Sequence, residues 1–319
     1  MLRKIIYALL GMILFLFIII GIWGYAPDMP LDELKAKYAN NESEFVTLSN
    51  GQTVHLRDEG SKNAPAIILL HGSNSSLHTW DEWTASLKTR YRIIRFDQMG
   101  HGLTGPHPAS CYSMDCYVET VDAVAENRGL SSFILGGSSM GGGISYAYAR
   151  AHPEHIDGLI LVDPSGAPDV KKADLPIGFK IATMPIINLS MEYITPRAII
   201  EQSLKDTVSV QSVNSKEKID LYWHLLRRAG NRKATRLRMA NHANKPQYAP
   251  LQTSPIPVLI LWGEEDKLIN VASAPWFAKQ FTHEKVIIYK GIGHLPMEEN
   301  AQQSADDVQN WLSKLDIAA

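Results

Sequence analysis

Cysteine is scarce in this chain, and neither sign of charge is in excess. The 319 residues include two cysteines, Cys111 and Cys116, which excludes a disulfide-rich scaffold and a zinc site built from four cysteines. The two thiols could close a small loop or stay unpaired, so cysteine content leaves the redox compartment open. Lysine and arginine number 31 against 33 for aspartate and glutamate, a balance with no bias toward nucleic acid. We therefore expect no nucleic-acid partner.

Motifs for cofactors and metals are also missing. No G-x-G-x-x-G opens a strand–helix–strand unit, no internal repeat or low-complexity block occurs, and the histidines outside the candidate site lack ligand spacing. We accordingly predict no cofactor, no metal and no obligate protein partner. The composition, 45% hydrophobic and 20% charged, is that of an ordinary globular protein. The length of 319 residues suits one domain with an insertion, or two small domains.

The N-terminal stretch is apolar and uncharged from Ile5 to Trp23. As a helix it would span about 28 Å, close to the hydrocarbon thickness of a bilayer. Arg3 and Lys4 precede it and Asp28 follows it, so the positive-inside rule predicts an uncleaved anchor. The catalytic domain would then lie outside the cytosol, on the periplasmic or extracellular side. A cleaved signal peptide is the alternative, although Pro27 fits a cleavage site poorly.

Beyond residue 43, short apolar strands alternate with helical patterns. Residues 45–48 and 53–56 predict a hairpin across Asn50-Gly51, and the continuous run Ala66–Leu70 is typical of a strand buried on both faces. Further strands are predicted at 92–96, 133–135, 159–162, 258–261 and 286–289, with helices near 80–90, 115–128, 140–152, 272–281 and 301–315. This alternation predicts an α/β fold with a mostly parallel sheet and helices on both faces.

The alternation breaks between about residues 165 and 250, where helical periodicity occurs without a convincing strand. We predict a helical cap over the carboxyl ends of the strands, where open α/β sheets bind ligands. The predicted organisation is an anchor at 1–25, a linker at 26–43, a core domain at 44–165, the cap at 166–250 and the rest of the core at 251–319. Apolar cap residues suit an acyl pocket or the packing of cap on core: Phe179, Ile181, Met184, Ile186, Met191, Tyr193 and Trp223.

A basic run also falls in the cap. Arg228, Arg232 and Arg236 lie on one face of a predicted helix, with Lys233 and Arg238 nearby. Such a face is either solvated or a contact for anionic lipid headgroups.

The most informative stretch is Gly137-Ser138-Ser139-Met140-Gly141, which follows the apolar run 133–135. It predicts a strand, a sharp turn and a helix, with Ser139 at the apex and glycines that let neighbouring backbone pass close. Such a turn exposes a hydroxyl at a helix N-terminus, where a developing oxyanion is stabilised. Ser138 is the alternative hydroxyl, but it lies off-centre between the glycines.

Polar residues end three other predicted strands at the same sheet edge. They are His294, Asp266 and the run His71–Asn74. A serine needs an imidazole to remove its proton, and the imidazole needs a carboxylate to orient it. Backbone N–H groups must then meet the oxyanion.

Each of these assignments has a rival. Asp163 also ends a strand and is an alternative acid, although Pro164 after it indicates a turn into the cap. His71 and His101 are interpreted as residues that hold loops through hydrogen bonds.

Together these motifs resemble the α/β-hydrolase superfamily, from about residue 44 to 315. The matching pieces are His71-Gly72, Asp97-Gln98-Met99-Gly100-His101-Gly102, the turn around Ser139, Leu161-Val162-Asp163-Pro164, Gly263-Glu264-Glu265-Asp266 and Gly293-His294. The resemblance implies Ser139 as nucleophile, His294 as general base and then acid, and Asp266 as its orienter. It also implies the backbone N–H groups of Met140 and Ser73 as oxyanion donors, with Asn74 as a substitute.

The resemblance further implies a serine hydrolase that cleaves carboxylic esters through an acyl-enzyme, and the apolar N-terminal run predicts that it is membrane-anchored. Short or medium acyl esters and monoacylglycerol-like lipids are the expected substrates. Relatives that open epoxides or remove halides carry aspartate where Ser139 stands, so those reactions are disfavoured. The alternatives are a carbon–carbon bond hydrolase or an aminopeptidase-type enzyme with the same triad, and a non-catalytic ligand-binding member of the fold.

Overall fold

A single eight-stranded sheet organises the molecule. This computed structural model describes residues 3–4, 6–7, 11–12, 21, 23–168, 176–184, 187–242, 250–251 and 253–315. The strands are β1 Ser43–Thr47, β2 Thr53–Glu59, β3 Ala66–Leu70, β4 Arg92–Phe96, β5 Phe133–Ser138, β6 Ile156–Val162, β7 Val258–Gly263 and β8 Glu284–Tyr289. Their order across the sheet is β1-β2-β4-β3-β5-β6-β7-β8.

The strand directions confirm the prediction of a mostly parallel sheet. β2 runs antiparallel to both of its neighbours, and every other neighbouring pair from β4 to β8 is parallel. The predicted hairpin is present: Ser43 pairs with Arg57 and Thr47 with Thr53. Gly51 closes it at a φ of 79°, a conformation that glycine adopts without a steric penalty.

Helices cover both faces of the sheet and build the cap. They are α1 Leu31–Tyr38, α2 Asp81–Leu87, α3 Met114–Asn127, α4 Met140–Ala151, α5 Ile177–Thr183, α6 Ile187–Ser190, α7 Arg197–Thr207, α8 Lys216–Leu226, α9 Asn231–His242, α10 Ala274–Ala278, α11 Pro296–Glu299 and α12 Ala301–Leu312. The serine before α3 and the serine before α8 each accept a hydrogen bond from a first-turn N–H. Helices α5 to α9 come from the segment predicted as the cap.

The core is divided by the sheet. All residues of β3 are buried, and alternate side chains point to opposite faces. Ile68 and Leu70 pack with apolar residues of α3 and α4, whereas Ile67 and Leu69 pack with Trp80 and the helices on the other face. A strand covered on both sides is what the continuous apolar run at Ala66–Leu70 predicted.

The segment that precedes β1 is tied to the cap. The Ala26 N–H donates to the Tyr193 carbonyl and the Thr195 N–H to the Gly24 carbonyl, both at 2.9 Å. Within 26–43, predicted as a linker, α1 buries Leu34 against Leu225 of α8. The anchor predicted at 1–25 lies largely outside the described residues. In the part of the chain that is described, no helix has the length and apolar character needed to cross a bilayer.

The two cysteines, left open by the sequence, are joined. Cys111 and Cys116 form a disulfide across the start of α3, with a Cα–Cα distance of 6.2 Å. The Ser113 side chain between them accepts the Cys116 N–H at 3.4 Å and caps the helix.

Candidate active site

Ser139 stands at a sharp turn between β5 and α4. Its φ of 55° and ψ of −117° are unusual for a residue with a side chain. The turn is possible because Gly137 and Gly141 lack Cβ atoms. A Cβ on Gly137 would lie 2.3 Å from the Gly141 carbonyl oxygen, and one on Gly141 would lie 2.1 Å from that of Leu70. Ser139 therefore projects from the carboxyl edge of the sheet at the N-terminus of α4. Ser138, the alternative hydroxyl, is fully buried in β5.

His294 and Asp266 meet at the same edge. Asp266 follows β7 and His294 follows β8, and His294 Nδ1 donates to Asp266 Oδ2 at 2.7 Å. The other carboxylate oxygen, Oδ1, accepts the N–H groups of Leu268 at 2.8 Å and Ile269 at 3.0 Å. Both side chains are almost fully buried, with 3% of His294 and 5% of Asp266 exposed. Because Nδ1 carries the proton in this arrangement, Nε2 is left with its lone pair.

A second carboxyl group adjoins this pair. Polar atoms of Asp163, Asp266 and His294 all lie within 4.8 Å of one another. Asp163 follows β6 and accepts the Gly263 N–H at 3.0 Å. Burial, and then the charge of Asp266, raises the pKa of Asp163 well above its usual value. Asp266, not Asp163, is the carboxylate in contact with the imidazole.

The loop after β3 packs against the turn at Ser139. A Cβ on Gly72 would lie 3.2 Å from that of Ser139, so the loop approaches the serine closely. Ser73 and Met140, the predicted oxyanion donors, lie at the loop and at the first residue of α4. Among the described residues, none accepts a hydrogen bond from either backbone N–H.

His71 and His101 are neutral and hold loops, as their sequence positions indicated. The His71 Nδ1–H donates to the Gly72 carbonyl at 2.7 Å, and Nε2 accepts the Gln98 N–H at 2.9 Å. Burial lowers the pKa of His71 to about 4. His101 donates from Nδ1 to the Met99 carbonyl at 3.0 Å, and burial lowers its pKa well below the usual value.

A cavity of about 250 Å³ lies between the sheet edge and the cap. Ser139, His294 and Ser73 line it on the core side. Its cap side is mainly apolar and includes Phe179, Ile181, Ile187, Met191, Ile194 and Ile200. Of the apolar cap residues singled out in the sequence, Met184 and Tyr193 are exposed instead, and Ile186 lies outside the described residues.

Glu299 is a site residue that sequence reasoning missed. Its Oε1 accepts the Leu295 N–H at 3.0 Å and its Oε2 accepts the Gly293 N–H at 3.0 Å, so one carboxylate holds the chain on both sides of His294. The same Oε2 accepts the N–H groups of Ser209 at 2.7 Å and Val210 at 2.9 Å, where the chain leaves α7. Glu299 therefore joins the histidine loop to the cap. The only sequence signal was an acidic residue five positions after His294.

The basic run of the cap turns inward, which corrects both interpretations made from the sequence. Arg232 and Arg238 are buried. Arg232 donates to Asp28 Oδ1 and Arg236 to Glu192 Oε1, each at 2.7 Å. The predicted single face was wrong, because Arg228 precedes α9, which begins at Asn231. Helical periodicity also could not reveal that Arg232 pairs with the N-terminal segment and Arg236 with Glu192.

One further cluster lies on α3 and beyond α4, away from the cavity. Asp122, His152 and His155 are partly exposed, and their polar atoms lie within 4.8 Å of one another. The Tyr148 hydroxyl donates to Asp122 Oδ1 at 2.9 Å and contacts His155 Nδ1 at 3.2 Å. These contacts make the cluster a polar hydrogen-bond network at the end of α4.

Comparison with known proteins adds to this geometry. Residues 65–301 match the family described as the alpha/beta hydrolase fold, which is more than half of the 319 residues. The chain belongs to the α/β-hydrolase fold family. Lipase 1 of Psychrobacter immobilis is similar to it, with 25% identity over 299 residues that cover 88% of each chain. The family match and the similarity to this lipase together assign the chain as a hydrolase.

Solved structures support the fold. A membrane phospholipase A has 24% sequence identity and a TM-score of 0.73, covering 98% of this chain and 99% of its own. A meta-cleavage product hydrolase from Pseudomonas fluorescens IP01 has 20% identity and a TM-score of 0.73, covering 86% of this chain and 99% of its own. At these identities the likeness concerns the fold alone.

Proposed function

We propose that this α/β-hydrolase cleaves carboxylic esters, with Ser139 as nucleophile, His294 as general base and Asp266 as the group that orients it. The observation that carries the proposal is the 2.7 Å hydrogen bond between His294 Nδ1 and Asp266 Oδ2 in a cavity lined by both Ser139 and His294. That bond leaves Nε2 free to take a proton from a serine hydroxyl.

The reaction divides into two acyl transfers. Ser139 Oγ attacks the ester carbonyl carbon as His294 Nε2 takes the hydroxyl proton, and the carbonyl oxygen becomes an oxyanion. The N–H groups of Met140 and Ser73 receive that oxyanion. The intermediate collapses, the C–O bond to the alcohol breaks, and His294 gives its proton to the leaving alkoxide. A water then repeats the sequence on the acyl-enzyme, which releases the acid and restores Ser139.

The apolar lining of the cap side suits the acyl group of a short, medium or monoacylglycerol-like ester. The cap residues that line the cavity are mainly apolar, which favours a hydrocarbon chain over a charged one. Arg232 and Arg236 also line the cavity, but both already pair with carboxylates. The lipase relative is consistent with this substrate class.

Labelling with a fluorophosphonate tests the nucleophile. We expect the wild-type protein to be labelled at Ser139 and to hydrolyse p-nitrophenyl esters, and Ser139→Ala to do neither. Ser138→Ala is the matched control, because its hydroxyl is buried in β5 and should leave labelling intact. A folded wild-type protein that takes no label would refute the proposal.

A chain-length series defines the acyl group and separates the alternatives. The series runs from p-nitrophenyl acetate to longer acyl esters and then to a monoacylglycerol. A meta-cleavage diketone and an aminoacyl-p-nitroanilide serve as further arms. Faster turnover of the diketone or of the anilide than of every ester would replace ester hydrolysis with carbon–carbon or peptide bond hydrolysis.

We also propose that the chain is held at a membrane by residues 1–25, with the catalytic domain outside the cytosol. The uncharged run from Ile5 to Trp23 supports the anchor, and the Cys111–Cys116 disulfide supports an oxidising compartment. Protease added outside intact spheroplasts should digest the catalytic domain. If the domain is protected together with a cytosolic control protein, the domain lies in the cytosol and the proposed orientation is wrong.

A further inference from the structure

Arg238 is an unusual residue for the interior of a protein. It lies in α9, is only 1% exposed, and burial lowers the pKa of its guanidinium. A buried cation is normally paired with a carboxylate, because removing an unpaired charge from water is very unfavourable. Its neighbours on α9, Arg232 and Arg236, follow that rule with Asp28 and Glu192. Within the described residues, no carboxylate forms an ion pair with Arg238.

The Arg238 side chain is instead bound to the loop after β3. Its Nη2 donates to Ser73 Oγ at 2.8 Å and to Asn74 Oδ1 at 3.0 Å, and its Nη1 donates to His101 Nε2. One turn earlier in α9, the Thr235 hydroxyl donates to the same Asn74 oxygen at 3.2 Å. Asn74 has a φ of 60°, so these bonds hold a residue in a left-handed conformation.

All of these partners are uncharged. His101 is neutral, since its Nδ1–H donates to the Met99 carbonyl while its Nε2 accepts from Arg238. The positive charge of Arg238 is therefore not cancelled where it touches the loop. That loop carries the Ser73 N–H, one of the proposed oxyanion donors, and lies against Ser139.

We propose that Arg238 is a positioning residue for the oxyanion hole. It fixes residues 73–74 and places a positive charge behind the loop that must face a developing negative charge. The docked cap is then a part of the catalytic machinery, since without α9 the loop would lose its support. This inference rests on the proposed ester hydrolysis at Ser139.

The test compares Arg238→Lys and Arg238→Met with Lys233→Met, which removes an exposed cation from the same helix. Lysine keeps the charge but cannot form the fork of bonds to Ser73, Asn74 and His101. We expect kcat on a p-nitrophenyl ester to fall by about 10- to 100-fold in both Arg238 variants, below the loss from removing an oxyanion donor outright. KM should change little, and Lys233→Met should match the wild type.

The affinity of a trifluoromethyl ketone distinguishes a positioning role from a purely structural one, because the bound ketone places an oxyanion in the hole. The ketone adds Ser139 Oγ to its carbonyl carbon, the hydroxyl proton passes to His294, and the resulting oxyanion occupies the hole. Its affinity should fall in parallel with kcat, whereas the affinity of the product carboxylic acid should not. Active-site titration with the fluorophosphonate corrects each rate for the fraction of folded protein.

If Arg238→Met does not fold, a double-mutant cycle with Arg238→Lys and Ser73→Ala tests whether Arg238 acts through its contact with Ser73. Ser73→Ala keeps the backbone N–H and removes only the contact with Arg238, so the two changes should be far from additive in kcat. Wild-type kcat and ketone affinity in Arg238→Lys would overturn the inference, as would strict additivity. A wild-type protein without esterase activity or label would instead refute the proposed function.

Discussion

Three residues with side chains adopt left-handed backbone at the ends of the strands that meet in the site. Asn74, Ser139 and Asp163 have φ angles of 60°, 55° and 44°. Conformations of this kind cost roughly 1–3 kcal/mol each and persist only where the surroundings enforce them. Each is held by its contacts in the fold: Asn74 by α9, Ser139 by the close passage of Gly137 and Gly141, and Asp163 by the Gly263 N–H.

The same substitution at the two buried aspartates should reduce kcat strongly at Asp266 and hardly at all at Asp163. Asp266→Asn should reduce kcat by about 10⁴-fold, because an amide favours the wrong imidazole tautomer. Asp163→Asn should leave kcat near that of the wild type, since the side-chain oxygen of asparagine can still accept the Gly263 N–H and Asp163 forms no hydrogen bond with His294. Steady-state kinetics on one ester, with both variants side by side, tests this. The reverse pattern would make Asp163 the orienting acid.

Asp163 also predicts a pH effect on stability. Folding raises the pKa of Asp163 above its unfolded value of about 4. Between these two pKa values the native state holds a proton on Asp163 that the unfolded state has lost. The wild type therefore loses stability through this group as pH rises above about 4, and the loss ends at the folded pKa. Asp163→Asn should gain stability relative to the wild type as pH increases. Urea unfolding from pH 4.5 to 8, at about half-unit steps, measures the difference.

At the scale of elements, the loop that carries His294 depends on Glu299. Bonds from a carboxylate to backbone N–H groups contribute about 1.5–3 kcal/mol each. Glu299→Gln replaces one acceptor oxygen with an amide that repels the N–H groups it faces. We expect a loss of about 2–4 kcal/mol in the free energy of unfolding. We also expect kcat to fall more than KM changes, because a displaced general base slows chemistry without weakening binding.

Glu264→Gln is the control for that variant. Glu264 is an exposed carboxylate in the adjacent loop, so its neutralisation should affect neither stability nor kcat. Equal effects of the two substitutions would mean that net charge, and not the contacts of Glu299, decides the result.

The disulfide at the start of α3 gives a second test at this scale. Closing so short a loop should stabilise the fold by about 2 kcal/mol through the entropy of the unfolded chain. The double variant Cys111→Ser/Cys116→Ser should lose that amount in urea unfolding. Reduction of the wild type with dithiothreitol should reproduce the loss and leave the double variant unchanged. A reductant effect on the double variant would contradict the assignment.

For the whole molecule, acid stability should be governed by buried neutral histidines. Burial lowers the pKa of His71 to about 4, and it also lowers the pKa values of His78 and His101 from 6.5. The unfolded chain then binds more protons than the native state below pH 6.5, so stability falls as pH falls. Each proton taken up on unfolding contributes about 1.4 kcal/mol per pH unit. A free energy of unfolding that stays constant from pH 7 to pH 5 would contradict this.

The sequence by itself determined the alternation of strands and helices, the mostly parallel sheet and the candidate triad, whereas the order of the strands across the sheet came only from the structure. Hydrophobic periodicity and turn glycines are local, and Ser139, Asp266 and His294 each follow a strand directly, so their shared edge follows from parallel pairing. Which carboxyl contacts His294, the disulfide state, and the inward turn of the basic run were decided only by tertiary structure. The contacts of Arg238 with Ser73 and of Glu299 with Ser209 join residues more than 80 positions apart in the chain. Such contacts depend on how the cap docks, and a helical pattern specifies a face but not what the face will meet.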